Sequence, residues 1–282
     1  MRFYLKALYL SCSDITPMKS LYTLTYCTIT CLLLLAAPAV AQSPDGSGED
    51  NFRTVTTFGV TTNTNAGLLG GFVFRQSKRL DGELLGKTQY RYLSLEVVNV
   101  KHPREFAAGS NNFGGSFTLG KENYLFVIRP QYGREISLFR RNIDEGISVN
   151  AIFAAGPSLA IIKPYYVEVS AGNTTRQIPY AKAIASPTLG GRSEFIVGSG
   201  GFFQGLGESS FNVGLHAKAA LNFELSAFRN NTTGLEIGFL SEIYPSKIVI
   251  VPNTNTALGD RTLGNRSFFT SGYVTLFFGT KK

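Results

Sequence analysis

The chain has 282 residues, 44% of them hydrophobic, with no tryptophan and a formal net charge of +8. That apolar content excludes a disordered chain, and the length suits one substantial domain. The positive balance does not make a nucleic-acid binder: the basic residues (Arg75, Lys78, Arg79, Lys87, Lys101, Arg104, Arg140, Arg141) are scattered through expected turns and form no continuous face.

The chain opens on a leader. Residues 28–40 form a short apolar run, preceded by Lys19 and ending in Ala39-Val40-Ala41. A spanning helix needs about 20 apolar residues, so the run is too short to cross a bilayer as a helix. Its small residues match a signal-peptidase site, so 1–41 reads as a signal peptide, Gln42 as the new N-terminus and Met18 as an alternative start. Cys31 follows Thr28-Ile29-Thr30, not a lipobox, which speaks against lipidation. All three cysteines (Cys12, Cys27, Cys31) lie in this leader, so the mature chain has no disulfide framework and no thiolate metal site. Residues 42–51 are polar and read as a flexible lead-in to a single unit over 52–282.

Eight segments of period two follow. Two Thr- and Gly-rich stretches, about 53–62 and 66–76, carry the pattern weakly. Leu93, Leu95 and Val97 alternate with Tyr92, Ser94 and Glu96. Residues 124–136 are aromatic and β-branched, with Tyr124, Phe126 and Ile128 on one side. Ile147, Val149, Ala151 and Phe153 alternate with Ser148 and Asn150. The clearest run is 211–225, where Phe211, Val213, Leu215, Ala217, Ala219, Leu221, Phe223 and Leu225 occupy every second position. As a helix it would be apolar all round. As a strand it spans about 50 Å, or about 35 Å along a membrane normal when tilted near 45°, modestly more than a 25 Å apolar band. Leu235, Ile237 and Phe239 then oppose Glu236, and Val274, Leu276 and Phe278 oppose Tyr273, Thr275 and Phe277.

The joints test this count. Those at 139–146 and 227–231 are short, whereas 101–121, 157–209 and 245–266 are long. Such alternation is what short periplasmic turns and long external loops produce. Asn63-Thr64-Asn65 departs from it, being external by count yet shortest of all. The sequence predicts an all-β fold: an antiparallel up-and-down transmembrane barrel of eight strands. Ten become possible if Ile161, Tyr165, Val167 and Val169 form a further hairpin instead of extending the fifth strand.

The last segment is rich in aromatics (Phe268, Phe269, Tyr273, Phe277, Phe278), as membrane-interface girdles are. With its leader, long alternating strands and aromatic final strand, the chain resembles the small bacterial outer-membrane β-barrel proteins of the OmpA/OmpX type. The resemblance implies export to the cell outer membrane of a Gram-negative envelope and contact with its lipid. It also implies recognition by the barrel-assembly machinery through Tyr273, Phe277 and Phe278. Those families usually end on an aromatic residue, whereas here Gly279-Thr280-Lys281-Lys282 follows Phe278.

For chemistry, His216, Lys218 and Glu224 share the polar face of the sixth segment, and Glu236 and Glu242 that of the seventh. A tight turn between them pairs residues whose numbers sum to about 458, setting His216 opposite Glu242 and Asn222 opposite Glu236. A histidine beside a carboxylate can do acid–base work, whereas a narrow barrel also fills its interior with paired polar groups. Lipid-A deacylases of similar size resemble the chain in architecture, but their motif sets a serine two residues after the histidine. Here that position is Lys218, so the motif does not carry over. Two histidines and no mature cysteine argue against a transition-metal site, and no cofactor motif is present: Gly198-Ser199-Gly200-Gly201 and Gly205-Leu206-Gly207 precede no strand-to-helix phosphate cradle. They read as a loop folding back toward the barrel mouth around Phe202 and Phe203.

The principal expectation is a structural or binding scaffold that displays external loops. The alternatives are a lipid hydrolase using His216 with Glu236 or Glu242, a small-solute channel if the ring has ten or more strands, and a soluble barrel of reversed polarity.

Overall fold

The computed structural model describes residues 53–84, 86–109, 115–139, 147–171, 173–185, 188–189, 192–193, 195–228, 231–252, 262 and 264–282. The leader and lead-in expected over 1–51 lie outside them. The strands are β1 (Thr54–Asn63), β2 (Gly67–Leu84), β3 (Lys87–Val100), β4 (Phe106–Gly109), β5 (Ser116–Leu119), β6 (Asn123–Phe139), β7 (Ser148–Pro164), β8 (Tyr166–Ala171), β9 (Thr174–Pro179), β10 (Thr188–Leu189), β11 (Arg192–Ser193), β12 (Phe195–Ser199), β13 (Ser210–Phe228), β14 (Asn231–Ile248) and β15 (Arg266–Lys281). One short helix, α1 (Tyr180–Ala185), follows β9.

Eight of these strands close a ring in the order β1, β2, β3, β6, β7, β13, β14, β15, every neighbour antiparallel. They are the eight segments read from the sequence, most of them longer than expected. The ten-stranded alternative fails. Ile161 lies in β7, which runs outward to Pro164, while Tyr165 begins a separate part outside the ring. There β8 pairs with β9 on one side and β12 on the other. The expected loop 157–209 is therefore largely structured, 101–121 holds the β4–β5 hairpin, and 245–266 shortens because β14 continues to Ile248. The short joint near Asn63 is a tight turn at the end that carries the long connections: the Ala66 amide donates to the Asn63 carbonyl, and the Asn65 amide to the Asn63 side chain.

Closure fixes the strand tilt. Hydrogen-bonded partners followed round the ring from Thr54 run through Lys78, Arg91, Arg134, Phe153, Ala219, Phe239 and Gly272 back to Thr64, ten residues further on. With a rise of ~3.3 Å and a strand spacing of ~4.8 Å, that stagger tilts the strands by about 41°.

The strands are apolar outside and polar inside. On β13, Phe211, Val213 and Leu215 are 67%, 60% and 64% exposed, whereas His216 and Lys218 are 4% and 5% exposed. The same alternation puts Phe72, Leu95, Phe239 and Leu276 outside and Arg75, Glu96, Glu236 and Thr275 inside. This polarity is the reverse of a lipocalin-like barrel, so the soluble reading fails. The aromatic final strand needs a correction too. Phe268 and Phe278 face outward, but Tyr273 and Phe277 sit inside, because they occupy the other parity of the same strand.

Toward the end that carries the long connections, the interior changes character. Inward positions become Val98, Val100, Leu125, Val127, Ala160, Tyr244 and Ile248, and Ile250 and Val251 join them from the connection after β14. Asn265 anchors that connection, its Oδ1 accepting from the Ile250 and Val251 amides and its Nδ2 donating to the Val251 carbonyl. The Ile250 carbonyl in turn accepts from the Glu122 and Asn123 amides. The segment that crosses the mouth is thus 249–251. Phe202 and Phe203, expected there, instead reach the outer wall, where Phe202 packs edge-on against Phe126 at 5.8 Å.

If the exposed leucines face hydrocarbon, Leu95→Arg costs about 2–4 kcal/mol, while Leu84→Arg at the strand tip costs less than about 1 kcal/mol. Urea titration of vesicle-inserted protein, followed by its heat-modifiable gel mobility, reads the difference; equal costs would contradict the assignment.

Candidate functional site

Period two sends every second side chain of eight strands into a lumen only wide enough to be filled by side chains. Charges placed there must satisfy one another. Arg129 on β6 grips Glu242 with both arms of its guanidinium (Nε–Oε1 3.0 Å, Nη2–Oε2 2.8 Å) and reaches Glu96 at 3.4 Å, to which Gln131 also donates. One layer nearer the short turns, Glu236 accepts from Arg75 (3.0 Å), from Lys218 (2.8 Å) and from the Tyr273 hydroxyl (2.6 Å). Arg75 also donates to Thr57 and lies 4.4 Å over the Phe277 ring, and Lys218 donates to the Tyr92 hydroxyl. Glu135 accepts from Ser77, Asn150 and Asn222. Lys281 meets Glu224 at the rim.

The candidate residues sit within this packing. His216 pairs in register with Glu242 and Asn222 with Glu236, as the sum of 458 requires. Yet the carboxylates serve other partners, Glu242 being held by Arg129 and Glu236 by Arg75 and Lys218. The contact of His216 is instead Ser158 on β7, whose Oγ lies 2.9 Å from Nδ1, while Nε2 has no partner. Across from His216 stands Gly156, where a Cβ would lie 2.1 Å from the Pro130 carbonyl; only glycine lets β6 and β7 approach there.

Serine, histidine and carboxylate thus gather in one layer. Ser158 is 0% exposed, however, and the Arg129 grip keeps Glu242 from orienting the imidazole. The arrangement suits a packed lumen layer better than an active nucleophile, although His216 Nε2 is left unpartnered. Ser158 was not legible because 157–209 reads as a loop. Arg75 reads as a turn residue, although its parity with Val73 and Ser77 on β2 gives its true side.

Outside the ring, β8, β9 and β12 form an external tier on the outward extension of β7. Tyr165, Val167, Val169 and Tyr180 make its core. The Tyr165 hydroxyl accepts from the Thr118 amide and the Tyr180 hydroxyl from the Gly120 amide, tying the tier to the β4–β5 hairpin. A polar groove of about 370 Å³ crosses it, lined by Ser116, Glu168, Ser170, Thr175 and Ser199. His102 bridges two connections: its Nε2 meets the Gly264 carbonyl and its Nδ1 accepts from the Arg104 amide. No group of three or more potential metal ligands occurs among the described residues.

No protein-family model matches the sequence, and no curated protein matches it. Among solved structures the chain is similar to Ail, the attachment invasion locus protein of Yersinia pestis. In complex with the heparin analogue sucrose octasulfate, Ail aligns at 10% identity and a TM-score of 0.34, over 81% of this chain and 97% of that one. A second structure of Ail aligns at 9% identity and a TM-score of 0.33 over the same shares.

Two outcomes test these assignments. Removing one member of a buried pair leaves its partner unsatisfied, so Glu236→Gln lowers stability by about 3–5 kcal/mol, while His216→Ala costs about 1–3 kcal/mol. Urea midpoints in lipid vesicles measure both, and a larger loss for His216→Ala would reverse the ranking. In the external tier, burial holds the Lys121 ammonium below its ordinary 10.5, offset in part by Glu105 at 2.8 Å. Between the lowered value and 10.5 the unfolded tier binds more protons than the folded one. The tier therefore gains stability as pH rises through that window. Relative to Lys121→Met, protease cleavage in the 101–122 connection should slow from neutral to about pH 9.5.

Proposed function

We propose that this protein is a sealed outer-membrane barrel whose wall anchors an external binding tier at the cell surface. The supporting observation is the double closure of the lumen: a layer of mutually satisfied charges, then an apolar layer completed by Ile250 and Val251. A pore needs a continuous polar path, and a hydrolase needs a reachable nucleophile; Ser158 and His216 lie below the apolar layer. What remains accessible is the external tier, whose hydroxyl-lined groove suits a polar ligand better than an apolar one. In this reading both chain ends of the barrel and the short turns face the periplasm, and β15, with Phe278 on its outer face, is the strand the assembly machinery engages.

Planar-bilayer recording of the refolded protein should show no steady conductance; a large open level would contradict the sealed lumen. The cysteine-free mature chain permits a clean orientation test. Gln177→Cys on β9 should react with an impermeant maleimide on intact cells, and Glu83→Cys only after permeabilisation. The hydrolase reading would gain from lipid cleavage that His216→Ala abolishes.

A further inference from the structure

The outer wall carries one feature that a lipid-facing surface does not need for folding. Lys78 on β2, Arg91 on β3 and Arg134 on β6 are direct register partners on adjacent strands. All three stand on the outward parity: Phe74 and Phe72 precede Lys78 on the same face of β2, Leu93 and Leu95 follow Arg91 on β3, and Tyr132 adjoins Arg134 on β6. Directly opposed strand residues lie about 5 Å apart, and like charges there repel. Among the described residues nothing offsets the repulsion. Among the described residues none of the three has an acidic or hydrogen-bonding partner, and the Arg91 Nε is buried without one. The carboxylates of the same strands are elsewhere: Glu96 and Glu135 face the lumen, and Asp81 and Glu83 lie beyond a register shift toward the strand tip.

Position gives this rung its meaning. It is flanked by Thr54 on one side and Phe153 on the other, at the end of the wall nearest the short turns and both ends of the barrel. Two rungs toward the middle, the wall is Phe74, Leu95 and Pro130. The cations therefore interrupt the apolar wall near its short-turn end, with Leu84 and Phe139 exposed at the strand tips beyond them; in the membrane reading this is the level of lipid headgroups. Arginine forks and a lysine in one row match the oxygens of a phosphodiester.

We infer that Lys78, Arg91 and Arg134 form a binding site for the headgroup phosphate of an anionic phospholipid in the periplasmic leaflet. The inference rests on the membrane reading proposed above. Each cation near such a surface strengthens binding roughly fivefold.

Because the chain has no tryptophan, Tyr132→Trp places a single reporter beside the rung. In vesicles, brominated phosphatidylglycerol should quench it with an apparent affinity on the order of a hundredfold above brominated phosphatidylcholine. Replacing Lys78, Arg91 and Arg134 together by Gln should bring the two lipids within about twofold, with heat-modifiable mobility retained. Arg91→Gln alone should remove roughly fivefold and serves if the triple variant does not fold. Equal quenching in the parent, or a preference that survives the variants, overturns the site. Loss of the preference in excess inorganic phosphate assigns it to free phosphate and overturns the lipid. Absence of quenching by either lipid means that the chain has not inserted, and it is then the membrane reading that fails.

Discussion

Closure of the hydrogen-bonded ring is the constraint on which the rest of this molecule depends. A closed ring of eight antiparallel strands leaves no edge strand and pairs the backbone of each strand with two neighbours, so the wall needs little water on its outer side. That frees the outward parity to be apolar. It also forces the inward parity into a narrow cylinder with no bulk solvent, where any charge must find a partner. The interior of this chain is the consequence: Arg129 set between Glu96 and Glu242, and Glu236 shared by Arg75, Lys218 and Tyr273. Buried pairs of this kind do not have to raise stability above that of an apolar filling. Their value is registry, since sliding a strand by one residue would turn its charges into lipid.

The same geometry divides the molecule into levels with different tasks. Nearest the short turns lies the layer of Glu236, Arg75 and Lys218, then that of Ser158, His216, Glu242 and Arg129, then the apolar seal under Ile250 and Val251, and finally the external tier. Among the described residues the lumen groups of the lower levels are buried, so in the proposed function recognition falls to the tier above and to the outer wall. Ser158 and His216 illustrate why a constellation of residue types is weak warrant for catalysis: the atoms meet, but Ser158 is buried and Glu242 is held by Arg129.

Much of the architecture was legible in the residues. Strand 211–225 betrayed its two faces because only one medium could accept Phe211, Val213 and Leu215 while the opposite face carried His216 and Lys218. The register of β13 with β14 followed from one tight turn, which is why the pairing of Asn222 with Glu236 could be written down beforehand. What escaped were contacts between strands distant in the sequence. Arg75 reaches Glu236 across 161 residues and Arg129 reaches Glu242 across 113, and no local pattern encodes such meetings. The inward turn of Tyr273 and Phe277 was masked by composition, because aromatics on a final strand look like a girdle until parity separates them. The external tier was hidden for a different reason: its strands are short and sit off the ring, so they obey no barrel spacing.

The most direct test of the account is a nitroxide scan along β3 in lipid vesicles, one single-cysteine variant at each of residues 92 to 98. The account predicts that labels at 93, 95 and 97 collide with dissolved oxygen and not with an aqueous nickel chelate, whereas labels at 94, 96 and 98 are shielded from both. Chelate access at 94, 96 and 98 would mean an open aqueous lumen, and chelate access at 93, 95 and 97 would mean a wall that faces water; either result contradicts a sealed barrel in lipid.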